Sequence, residues 1–131
     1  MTPGTVVLYR KFTFHDGDLS DKLLVVLNSG GKVSHLVLKT TSKQKAGRFA
    51  KEGCHAQAGY FFIRAQSDHF RKDTWVLLYE TYELSSADFL KAHFGGVAEV
   101  VGCLKSETLR AIINCFKKTD DYSEHHESLL Q

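Results

Sequence analysis

The sequence predicts a mostly β domain, α+β by virtue of short helices, with an amphipathic helix near its C-terminal end. Three observations carry that expectation. Runs of β-branched and aromatic residues recur between glycine- and aspartate-bearing breaks. A pair of glycines separates two apolar runs, as in a hairpin. One late segment repeats apolar residues at helical spacing.

In order along the chain, residues 4–14 (GTVVLYRKFTF) read as the first strand, broken by the turn signal His15-Asp16-Gly17-Asp18. Residues 22–28 (KLLVVLN) form a continuous apolar run short enough for a buried strand. Asn28-Ser29-Gly30-Gly31-Lys32 then marks a hairpin, and residues 33–39 return. Residues 43–59 read as a long basic loop. Residues 60–63 and 75–79 read as two further strands. Ser85-Ser86-Ala87-Asp88 opens a short helix with a serine cap, Gly95-Gly96 ends it, and residues 97–101 form a last strand.

The clearest helix starts at Ser106, read as its N-cap, with Glu107 in the first turn. Leu109, Ile112, Ile113 and Phe116 make one apolar stripe, and Lys117 and Lys118 suit its C-terminal end. The expectation is that this helix lies across the mouth of a β barrel. Residues 119–131 read as an acidic, flexible tail after a single domain over 1–118.

With 131 residues and 43% apolar content, the chain suits one packed domain. No apolar run approaches the roughly 18 residues that span a membrane. The first ten residues lack the pattern of a secretion signal. Cys54, Cys103 and Cys115 are scattered and odd in number, and read as free thiols of a reducing cytoplasm. The net charge is +2, but 119–131 holds four of the fifteen acidic residues and none of the seventeen basic ones, so 1–118 carries +6. A basic body fits a polyanionic partner and equally fits plain solubility.

Taken in order, these elements resemble the PemK/MazF family of toxin-like endoribonucleases over roughly residues 4–118. Gly4-Thr5-Val6-Val7 resembles the family's opening strand. The run from Lys22 to Asn28 is similar to the strand that begins Arg-Pro, and Thr41-Ser42 resembles the Thr-Ser step after the third strand. The glycine-bearing loop, the strand at 75–79 and the helix from Ser106 follow in the same order. Lys22 and Leu23 stand where the family has Arg and Pro, and Glu80 where an Asp often stands. Lysine keeps the charge but lacks the planar fork that grips a phosphate. The resemblance implies a small SH3-like barrel of strongly bent antiparallel strands, a homodimer, single-stranded RNA as substrate and an antitoxin-like inhibitor protein.

Metal-independent RNA cleavage needs a base for the 2′-hydroxyl, a cation for the phosphate oxygens and an acid for the leaving oxygen. Lys22 supplies a cation, Thr41 with Ser42 supplies hydroxyls, and His15 and Glu80 supply proton-exchanging groups. Each has a plainer reading: a solvated strand-edge lysine, a hydroxyl-closed turn, an idle loop histidine, a glutamate paired with a lysine across a strand. Lys43, Lys45, Arg48 and Lys51, with Phe49 among them, suit a single-stranded backbone or simply a solvated loop. No cofactor motif is present, and the cysteines and histidines lack zinc-ligand spacing. The competing expectation is a small-barrel binding module, for RNA or a protein, that keeps the fold without the chemistry.

Overall fold

The computed structural model of the chain describes residues 1–13, 19–30, 33–42 and 51–130. Seven antiparallel strands form one sheet: β1 (Thr5–Thr13), β2 (Leu19–Val26), β3 (His35–Thr41), β4 (Gly53–His55), β5 (Tyr60–Ile63), β6 (Thr74–Leu84) and β7 (Ala98–Cys103). Their spatial order is β4-β5-β6-β3-β2-β1-β7. Among the described residues there are three α-helices: α1 (Ser86–Phe94), α2 (Ser106–Phe116) and α3 (Glu124–Leu130).

Strand alternation divides the apolar residues between two faces. Val6, Val25, Leu36, Leu38, Val76 and Leu78 pack with Ile112, Cys115 and Phe116 of α2. Val7, Leu24, Val26 and Val37 face the other way, with Phe89 of α1. The helical stripe behaves as expected: Ile112 and Phe116 are fully buried, and Leu109 and Ile113 pack partly against the same core. Burying each of the first two contributes about 1.5–3 kcal/mol.

The mostly β expectation holds, but the strands do not close into a barrel. Among the described residues β4 and β7 are the sheet edges. The gap is bridged by helix instead of by a ladder: α2 leaves the end of β7 and reaches β4, where Cys115 is disulfide-bonded to Cys54. Register shifts bend the strands within the sheet. They fall between Tyr9 and Phe12, between Val6 and Val7 against β7, and between Leu38 and Thr40 against β6.

Several sequence readings need correction. Cys54 and Cys115 are not free thiols; 61 residues separate them, so no local spacing could reveal the pair. Cys103 alone is free, and two of the three thiols on which the cytoplasmic reading rested are gone. No described helix is long and apolar enough to cross a membrane. The long loop read over 43–59 contains β4, paired to β5, and a 3-10 turn over Ala56–Ala58. Ser106 is not the cap of α2 but its first residue; Lys105 occupies the cap position, and no side chain there bonds to the first-turn amides. Ser85 does cap α1, accepting from the Asp88 amide at 3.1 Å.

The acidic segment beyond 118 is not a free tail. α3 buries Leu129 in the α2 face of the core. Asn28, at the end of the second apolar run, holds it: its Nδ2 donates to Leu129 O and Ser34 O, each at 2.9 Å, while its Oδ1 accepts from the Leu36 amide at 2.8 Å. One buried amide thereby closes the β2–β3 connection and anchors the C-terminal helix. Gly30, at φ 70°, permits this corner, because a side chain there would overlap the His35 ring.

Candidate functional site

Beside the first half of β2 and the end of β3, the sheet opens a cleft of about 540 Å³. Its walls come from Asp21, Lys22 and Leu23 of β2, Thr40, Thr41 and Ser42 at the end of β3, the segment from His69 to Thr74, and Val101 of β7. Lys22 and Thr41-Ser42, nearly twenty positions apart in sequence, meet because β2 and β3 are antiparallel neighbours. The register of Leu24 with Lys39 runs on to Thr40, whose Oγ1 donates to Leu23 O at 2.7 Å. That bond fixes the rim on which Thr41 stands.

The facing wall is the β5–β6 connection, residues 64–73. The Gln66 amide donates to Phe70 O at 2.8 Å, and Asp73 Oδ1 accepts from the Ala65 amide at 2.8 Å. Phe70 is buried beneath the cleft in the α2-side core. The Asp68 carboxylate accepts from the Lys105 amide at 3.2 Å, and Lys105 Nζ donates to Ser67 O at 3.0 Å, so the segment is tied to the start of α2. The His69 amide donates to Asp68 Oδ1 at 2.7 Å. Its ring lies against the backbone of Gly102, where any side chain would overlap it. The approach therefore requires glycine at 102.

Electrostatically the cleft is cationic. Among the described residues, Lys22, Arg71 and Lys72 line it against the carboxylate of Asp21. Asp21 Oδ1 is held by the Lys11 amide at 2.8 Å. Hydroxyls of Thr41 and Ser42 stand beside the cations. Such an arrangement can hold a phosphodiester: point charges and a guanidinium fork for its non-bridging oxygens, hydroxyls to orient it. The volume suits a nucleotide-sized group.

The remaining sequence candidates fare differently. Glu80 does not line the cleft. β6 carries extra residues opposite Lys39, and at that irregularity Glu80 Oε2 lies 3.4 Å from Lys39 Nζ and accepts from the Tyr82 hydroxyl at 3.2 Å. This is the cross-strand pairing that was the plainer reading. Glu80 also helps raise the titration of neighbouring Tyr79, behind the larger effect of burial. Lys51 is exposed just before β4, at the sheet edge remote in strand order from β2, and is not among the cleft-lining residues. His15, Lys43, Lys45 and Arg48 lie outside the described residues.

Sequence reading passed over His69, Arg71 and Lys72. The available signal was the density of charge in RAQSDHFRKD between two strands; nothing local says that this segment faces β2 and β3. Among the described residues, no three His, Cys, Asp or Glu side chains gather as a metal ion would require. No family model, no curated protein and no solved structure matches the chain.

Proposed function

We propose that the chain is a toxin-like endoribonuclease that cleaves single-stranded RNA by attack of the substrate's own 2′-hydroxyl, as its resemblance to the PemK/MazF enzymes and their SH3-like barrel implies. The observation that carries the reading is the cationic cleft in which Lys22, Thr41 and Ser42 stand together with Arg71 and Lys72. The scissile phosphate lies among these side chains. Lys22 stabilises charge growing on the non-bridging oxygens, and Thr41 and Ser42 orient the phosphate. The nucleophile is already beside the phosphorus, so no metal-bound water is needed. A homodimer and an antitoxin-like inhibitor protein belong to the same proposal.

A second reading is the binding module without chemistry. It is favoured by Glu80, whose carboxylate is engaged by Lys39 and Tyr82 away from the cleft. One assay separates the two. Pure protein is incubated in EDTA with a pool of unstructured RNAs, and product ends are analysed. The enzyme yields 2′,3′-cyclic phosphate and 5′-hydroxyl ends, and a 2′-O-methyl group at the scissile position stops it. RNA binding without cleavage by folded protein leaves the module.

A further inference from the structure

The cleft holds two groups suited to moving protons on its two walls, Asp21 on β2 and His69 on the 64–73 segment. We propose that they are the acid–base pair of the cleft: His69 is the proton donor to the leaving 5′-oxygen, and Asp21 is the acceptor from the 2′-hydroxyl. The proposal rests on the ribonuclease reading above.

The step balances without any further reactant. The 2′-oxygen bonds to phosphorus as its proton passes to the Asp21 carboxylate. The bond from phosphorus to the 5′-oxygen breaks as that oxygen takes the proton of the His69 imidazolium. The products are the 2′,3′-cyclic phosphate and the 5′-hydroxyl, and solvent returns both side chains to their starting protonation states. A carboxylate is ionised at neutral pH and ready to accept, while an imidazole is the side chain that exchanges protons in the neutral range.

Both groups are positioned. Lys11 fixes Oδ1 of Asp21 through its amide at 2.8 Å, leaving Oδ2 as the remaining acceptor. His69 is set by its amide bond to Asp68, by edge-on contact with the Phe70 ring at 5.4 Å between centroids, and by the bare backbone of Gly102 against its ring. Among the described residues, the ionisable groups that share the cleft or adjoin it are Asp21 and Lys22 from β2, Asp68, Arg71 and Lys72 from its own segment, and the Cys103 thiol next to Gly102 on β7. Gly102 itself brings the β7 backbone close without adding charge.

The test compares wild type with His69→Gln on two RNAs of one sequence, cut at a site first mapped with unmodified RNA. One carries the ordinary 5′-oxygen at that site, and the other a bridging 5′-sulfur, whose thiolate leaves without a proton. On the oxygen substrate His69→Gln loses about 10²–10⁴ in rate. Its pH profile also lacks the basic-side fall that loss of a protonated donor gives wild type. On the sulfur substrate the variant stays within about threefold of wild type, which also shows that it is folded and binds RNA. Gly102→Ala, which puts a methyl group into the ring, gives the same pattern. Equal losses on both substrates overturn the donor role, and so does an unchanged oxygen rate while wild type cleaves. Wild type that cleaves neither RNA overturns the ribonuclease reading, and this proposal with it.

Discussion

The α2 side of the sheet and the cleft between the start of β2 and the end of β3 are built on opposite principles. Around α2, Phe116 and Ile112 are fully buried, Leu129 closes over them from α3, and a disulfide joins the helix to β4. Around the cleft, Lys22 and Thr41 are half-buried on β2 and β3, while Ser42, Arg71 and Lys72 are exposed, the last two on a segment tied down through Asp68. The difference teaches where stability and chemistry lie. Substitutions on the first side should unfold the protein, whereas substitutions in the second should leave it folded and change what it binds or cleaves.

The sharpest test of that division is Phe116→Ala. Phe116 touches the rings of Tyr122 and His126 at 5.3 and 5.1 Å between centroids and has no exposed surface. Its truncation is expected to cost about 3–5 kcal/mol in a urea melt. A loss under about 0.5 kcal/mol, the scale of an ordinary surface change, would mean that the helix is not packed as described. Lys22→Ala is the counterpart. It should lower RNA cleavage by about 10²–10³, the scale of removing one transition-state donor. Its urea midpoint should stay at the wild-type value; a shift comparable to that of Phe116→Ala would break the comparison.

Next comes the disulfide. Cys54→Ser with Cys115→Ser should cost about 2–4 kcal/mol, because the bridge removes a loop of 61 residues' separation from the freedom of the unfolded chain. Equal melts for the two forms would assign the stability of that side to apolar packing alone. Glu80→Gln is smaller, at about 1 kcal/mol, since the Lys39 pair is only partly shielded from water. It should leave cleavage within about threefold of wild type, well short of the loss expected for a general base. A large loss of activity would return Glu80 to the chemistry.

The gentlest probe is pH. Burial holds the His35 imidazole below its ordinary range, with the bond to Asn28 opposing and the N-terminal charge adding to the shift. The neutral ring is favoured in the fold, so stability is full above the unfolded imidazole value of about 6.5. It falls as pH drops below that value and levels off once the buried ring is protonated. His35→Asn should flatten this part of the stability–pH curve. A curve that keeps its slope would place the titrating group elsewhere.

Local pattern alone determined much of the fold. β-branched runs placed most of the strands, the glycine pair placed the β2–β3 connection, Ser85 placed the start of α1, and the Leu109-Ile112-Ile113-Phe116 stripe gave α2 and its buried face. Each signal lies within one element, where side-chain spacing and backbone preference act directly. Lys22 and Thr41-Ser42 were legible as candidates through a resemblance of residue order. That they share a cleft follows from the β2–β3 register. The tertiary structure decided the rest: the pairing of Cys54 with Cys115, the docking of α3 through Asn28, the capture of Glu80 by Lys39, and the placing of His69, Arg71 and Lys72 opposite β2. All four join residues distant in sequence or separated by a strand irregularity. Periodicity says which face of an element is apolar, but contacts between elements depend on how the bent sheet brings their ends together.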